Sequence, residues 1–212
     1  MLRRTFPRTL ATTLALLATL AFAPAHAAVW AEVGDAGETL SGAQLTIGAG
    51  TLNGITGSLA SANDVDIYCI RLNGVPPMNL PFVDLACVVT GGPNVWLFDS
   101  AGNGVFSNRT CQFFSKYILA PGSGLTPGNY YLAVSFSGRD PQSAGGAIWS
   151  AALGQRLPDG PGAPGPLTGW AGTGSVQPSN PYQISLGFFD YCDAATPALK
   201  PTWGALKLHY GN

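Results

Sequence analysis

Histidine is nearly missing from this 212-residue chain: of two, only His209 lies beyond the first 27 residues. Serine and cysteine hydrolases rely on a general base, usually histidine, and no Gly-x-Ser-x-Gly elbow surrounds any serine here. Walker, Rossmann and zinc-protease motifs are absent too, and so is Cys-x-x-Cys, which with one histidine argues against structural zinc. Charge is scarce at 10 % of residues, and no basic stripe exists to follow a phosphate backbone. Nucleic acid is therefore not an expected partner. Helical periodicity hardly occurs. Past the N-terminus no apolar run is long enough to span a membrane, so no membrane span is expected.

Residues 1–27 carry the pattern of a signal peptide. Arg3, Arg4 and Arg8 form a basic head, Leu10 to Ala23 an apolar run, and Ala25-His26-Ala27 a small-x-small cleavage site. Arg3-Arg4-Thr5-Phe6 leaves both general and twin-arginine export open. The mature chain, 28–212, is expected outside the cytoplasm, secreted or periplasmic. It holds all 11 Asp and Glu against seven Lys and Arg, a net charge near −4. Its length suits one β domain.

What the chain has in abundance is punctuation: 28 Gly and 17 Pro. Between them lie short alternating or apolar runs at 44–47, 55–59, 65–72, 82–90, 95–99, 104–107, 117–119, 130–136 and 182–189. This spacing predicts an all-β fold, an antiparallel β-sandwich in a single domain. The expected core is Tyr68, Ile70, Leu72, Leu85, Leu97, Tyr130, Leu132, Val134, Ile184 and Leu186. Asp99 to Gly104 reads as a hairpin loop, and Thr126-Pro127-Gly128-Asn129 as a type II turn. The segment 157–181, with six prolines and six glycines in 25 residues, reads as one long loop. The tail, 193–212, could add an edge strand at 205–210.

Four cysteines in an exported chain, Cys69, Cys87, Cys111 and Cys192, imply two disulfides with three possible pairings. Parity disfavours Cys69 with Cys87, since Cys69 sits opposite the Tyr68/Ile70 face while Cys87 shares a face with Val83 and Leu85. A Cys111–Cys192 bridge would contribute roughly 4 to 5 kcal/mol by chain entropy.

The run Asn63-Asp-Val-Asp-Ile-Tyr-Cys-Ile-Arg-Leu72 opens an apolar strand with two acids on its inward face. Glu32, Asp35 and Glu38 supply three more acids within seven residues. If the two segments run side by side, Glu32, Asp35, Asp64 and Asp66 converge, and a divalent cation would relieve their repulsion. Oxygen donors of this kind suit calcium. The alternative is a solvated strand end. An EF-hand at Asp99 fails, because its third position is Ala101 and its twelfth Thr110. Glycosidases need only two carboxylates, and Asp64, Asp66, Asp84, Asp99 and Glu38 keep a hydrolase formally open. Trp149 and Trp170, in or near Gly/Pro-rich loops, are candidates for stacking on sugar rings, which would make a carbohydrate-binding module. Asn108-Arg109-Thr110 is an N-glycosylation sequon.

Several stretches taken in order, "EVGDAGETL", "ITGSLASANDVDIYCIRL", "VWLFDSAGNGVFSN" and "LTPGNYYLAVS", resemble bacterial pre-peptidase C-terminal domains. Together with "RDPQSAGG" and "PGPLTGW" they are also similar to a group of uncharacterised secreted bacterial proteins built on that pattern. The resemblance implies a jelly-roll-like, non-catalytic sandwich that accompanies secreted enzymes or surface proteins. It implies calcium at Glu32, Asp35, Asp64 and Asp66. Relatives often have Glu-Pro-Asn-Asp where this chain has Glu32-Val-Gly-Asp35, which puts one oxygen ligand in doubt. The expected partner is an extracellular protein or polysaccharide.

Overall fold

The computed structural model of the protein describes residues 28–74, 82–86, 93–109, 117–118, 125–175 and 181–194. The signal segment, Cys87, Cys111 and the proposed 205–210 strand lie outside the described residues. The first strands are β1 (Val29–Ala31), β2 (Gln44–Leu45), β3 (Ile47–Gly48), β4 (Gly54–Ser58), β5 (Val65–Leu72) and β6 (Phe82–Ala86). Then come β7 (Asn94–Phe98), β8 (Gly104–Asn108), β9 (Tyr117–Ile118), β10 (Gly128–Ser135), β11 (Asp140–Ser143) and β12 (Gly146–Ala147). The last are β13 (Gln155–Arg156), β14 (Gly169–Ala171), β15 (Pro181–Gly187), β16 (Phe189–Tyr191) and β17 (Asp193–Ala194).

The architecture is an all-β sandwich in one domain. One sheet runs β1-β4-β15-β6-β9; the other runs β13-β8-β7-β10-β5-β16, with β2 alongside β5. Period-2 alternation accounts for the packing between them. Tyr68, Ile70 and Leu72 of β5, Val95 and Leu97 of β7, and Tyr130, Leu132 and Val134 of β10 meet Ile55, Leu85, Tyr182, Ile184 and Leu186 from the other sheet. All ten residues expected in the core are there. Most pairings are antiparallel, but β1 with β4, β2 with β5 and β17 with β3 are parallel. These are short edge strands reached by long excursions, so no hairpin constrains their direction.

The seven-stranded sheet is buried on its outer face as well. Val65, Ile67, Trp96, Phe98 and Ala133 point away from the sandwich interior and pack beneath Ile148 and Trp149. Their cover is a small sheet ordered β12-β11-β14. The Pro/Gly-rich segment, expected as a loop, contributes β14 to this cap and a run of close backbone turns before it. Proximity requires glycine at several of its positions: a Cβ on Gly160 would lie 2.1 Å from the Ala147 carbonyl oxygen.

β16 follows β15 after Phe188, whose φ is +67°, and crosses to the other sheet to pair with β5. Tyr191 pairs with Ile70, so the next residue, Cys192, reaches Cys69, and these two form a disulfide with Cα atoms 5.4 Å apart. Cys192 is thus taken by Cys69, not Cys111, and the closed loop of 123 residues limits the unfolded chain by roughly 5 kcal/mol in the entropic account. Buried Thr46 braces the pair, its hydroxyl donating to the Cys69 carbonyl (2.7 Å) and accepting from the Cys192 amide (3.0 Å). Asp99 closes the β7–β8 hairpin as expected, its carboxylate accepting from the Ala101 and Asn103 amides. Gly128 is the first residue of β10, and no backbone hydrogen bond closes a type II turn at 126–129; the Tyr130 hydroxyl instead brackets Thr126, accepting from its N–H and donating to its C=O.

Candidate metal centre

β1 lies parallel to β4 and ends at Ala31, which sets Glu32 beside the far end of β4. The Glu32 amide donates to the Thr56 carbonyl (2.8 Å), continuing the pairing one residue further. Its carboxylate accepts from the Ser58 amide (2.9 Å) and the Ala36 amide (3.3 Å), so both the strand and the following loop hold it. Gly34 and Gly37, at φ +74° and +69°, turn that loop so that Asp35 comes back towards Glu32. From the other sheet, Asp66 reaches the same point from the inward face of β5. One carboxylate oxygen from each of Glu32, Asp35 and Asp66 lies within 4.8 Å of the other two.

Three of the four acids expected at a metal therefore meet. Asp64 does not join them. It shares the face of Asp66, but it sits one pleat repeat nearer the strand entrance and turns back on the 60–63 loop. There its carboxylate accepts a short hydrogen bond from the Ala60 amide, while its own amide donates to Ser61. Glu38 is also elsewhere, ion-paired with Arg139 at 3.2 Å.

Asp66 is the unusual member. It is fully buried; one oxygen accepts from the Tyr182 hydroxyl at 2.5 Å, and the other, Oδ1, is buried with no partner. Burial pushes its carboxyl up to about 8; the Tyr182 hydrogen bond opposes this, and the charges of Glu32 and Asp64 add to it. Tyr182 in turn stands 2.5 Å from the Tyr68 hydroxyl. Since Tyr182 has one proton and gives it to Asp66, Tyr68 is the donor to Tyr182. Burial first, then the neighbouring carboxylates, raises both phenols, so the donor chain stays protonated.

Room for this arrangement comes from Gly57, which pairs with Tyr182 across β4 and β15. A Cβ there would fall 2.4 Å from the Tyr182 hydroxyl oxygen and 2.7 Å from Glu32 Oε2. Gly57 and Tyr182 were not singled out from the sequence. The available signal was a glycine inside a strand, which often marks a close approach.

These residues fit a hard cation. Three carboxylates converge, one of them has an unpartnered buried oxygen, and the missing Cβ of Gly57 keeps the cradle open. Two other sequence expectations change. Trp149 is only 2 % exposed, its ring 5.3 Å from Trp96 and 5.6 Å from Phe98, so it offers no face for a sugar. Trp170 is half-buried against the same cluster and donates its indole N–H to the Glu38 carbonyl (2.9 Å). Asn108, the sequon residue, is buried in β8.

No family model and no curated protein matches this chain. Among the described residues no helix is long and apolar enough to cross a membrane.

Proposed function

We propose that this protein is an exported, non-catalytic β-sandwich that serves as a binding or structural module, with calcium fastening its N-terminal edge. The observation that supports this most is the convergence of Glu32 and Asp35 on Asp66, a buried carboxylate whose Oδ1 has no hydrogen-bond partner. A buried carboxylate oxygen without a partner is costly, and half-buried Glu32 and exposed Asp35 beside it add repulsion; a divalent ion converts that penalty into binding. Calcium takes six to eight oxygens, and carbonyl and water oxygens would complete what the acids begin. The pre-peptidase C-terminal resemblance points the same way, as do the low charge and the lack of a histidine base.

In this reading the ion acts as a clip. Glu32 and Asp35 belong to the edge strand and its loop, whereas Asp66 belongs to the opposite sheet, so one ion ties the two sheets where β1 has a single neighbour. The test is calorimetric titration of mature protein with calcium, paired with thermal unfolding in calcium and in excess chelator. Calcium at 100 times its Kd should add about 2.7 kcal/mol of stability. Asp66→Asn should abolish that gain while unfolding in chelator no earlier than the parent. An identical midpoint with and without calcium in the parent protein would sink the proposal.

A further inference from the structure

Seven buried side-chain nitrogen and oxygen atoms among the described residues have no hydrogen-bond partner, and their distribution is uneven. One is Asp66 Oδ1. The other six belong to Asn94, Ser107, Arg109, Asp140 and Trp149, on or against the outer face of the seven-stranded sheet. Ser107 pairs with Trp96, and Asn108 with Val95, so the next step in register sets Arg109 beside Asn94. Asn94, Trp96, Ser107 and Arg109 thus share the surface beneath the cap. From above, Asp140 accepts from Arg109 Nη2 at 2.9 Å, and the Ser150 carbonyl accepts from Nη1 at 2.8 Å. Trp149, next to Ser150, lies over Trp96, and the Arg109 guanidinium stands 5.6 Å from the Trp96 ring centre.

We propose that this interlayer is a built hydration site, in which a fixed cluster of water molecules joins Asn94, Ser107, Arg109, Asp140 and Trp149. The donor and acceptor set decides the ligand. Asn94 Nδ2, Arg109 Nε and Trp149 Nε1 need acceptors; Asn94 Oδ1 and Asp140 Oδ1 need donors; Ser107 Oγ takes either. The ligand must therefore both give and accept hydrogen bonds. It must also be uncharged, because Arg109 and Asp140 neutralise each other, and an added anion or cation would face one of them unscreened. Asn94 is 1 % exposed and Ser107 fully buried, so nothing large can reach them. Water meets all these conditions, and buried waters typically bridge otherwise unsatisfied polar groups. Six dry orphans would forfeit a free energy comparable with a domain's whole stability. The cap is then joined to the sandwich by an aromatic half and a hydrated half.

Replacing Asn94 by the nearly isosteric Leu separates wet from dry. A water cluster loses two of its anchoring atoms in Asn94→Leu: the unfolding midpoint falls, and amide exchange in β11 and β14 quickens about tenfold. In a dry interlayer the same change removes two uncompensated polar atoms, so a raised or unchanged midpoint overturns the proposal. Water-to-protein nuclear Overhauser spectra of the unaltered full protein decide the matter even if the variant fails to fold. The Asn94 side-chain amide and the Trp149 indole N–H should show cross-peaks to long-lived water. Their absence, with both groups protected from exchange, overturns it.

Discussion

The two faces of the seven-stranded sheet handle polar groups in opposite ways. The inner face, packed on the five-stranded sheet, is almost wholly apolar and gathers polar groups at one end, where Asp66 and Tyr68 join Tyr182 of the facing sheet in a donor chain with a single open oxygen. The outer face carries two tryptophans on Phe98 together with an amide, a hydroxyl and an ion pair spread among them. A concentrated excess of acceptors of one sign suits a cation. A dispersed, charge-balanced set suits water. Burial alone does not distinguish the two; the sign and arrangement of what is buried does.

Breaking the covalent tie should have the largest effect. Cys69→Ala with Cys192→Ala releases β16 from β5 and is expected to cost about 2 to 5 kcal/mol, read as a lower urea midpoint in oxidising buffer. Next comes Trp149→Ala, at about 3 to 5 kcal/mol by cavity formation. If the faces are separable, hydrogen exchange should show lost protection in β11, β12 and β14 with β15 little changed; uniform loss would mean one cooperative unit. Gly57→Ala addresses the inner face. The added methyl group collides with Tyr182 and Glu32, so a loss of about 1 to 3 kcal/mol is expected together with loss of any calcium-induced shift in midpoint.

The pH dependence sharpens the comparison with a smaller effect. Asp66 is raised from 3.8 to about 8 in the folded chain, so the fold binds a proton that the unfolded chain releases. The metal-free protein should therefore be most stable below about pH 4 as far as this group is concerned, and lose that contribution as pH rises towards 8. The neighbouring Glu32 and Asp64 carboxylates add to the effect of burial on Asp66, and burial keeps the Tyr68 and Tyr182 phenols protonated. Calcium competes with that proton, so its stabilising effect should grow between pH 5 and 8. A calcium shift independent of pH would remove Asp66 from the ligand set. Asp64→Asn, outside the three-acid cluster, should weaken calcium binding far less than Asp66→Asn.

Much of the sandwich was legible because period-2 alternation is local. The 65–72 strand has its predicted bounds, and all ten expected core residues point inward, since each side follows from its neighbours along the strand. The same alternation put Cys69 opposite Tyr68 and Ile70, but it left the pairing open. That was decided by β16 crossing between sheets to align Cys192 with it. Gly/Pro content, by contrast, misjudged Trp149 and the 157–181 stretch, because whether an outer face meets water depends on a cap built from residues 140–171.

The division is similar at the metal centre. Acid spacing alone nominated Glu32, Asp35, Asp64 and Asp66, and charge arithmetic suggested what such a group would want. Selecting three of them required β1 to run parallel to β4 and the two sheets to close, because Glu32 and Asp66 reach one another across the sandwich and not along a strand. Tyr182 and Gly57 enter for the same reason, as partners in register on strands far apart in sequence. The chain by itself determined which residue types were available and which way each strand faced. Only the tertiary structure decided which of them share a few ångströms, since contact between distant segments is set by sheet order and closure.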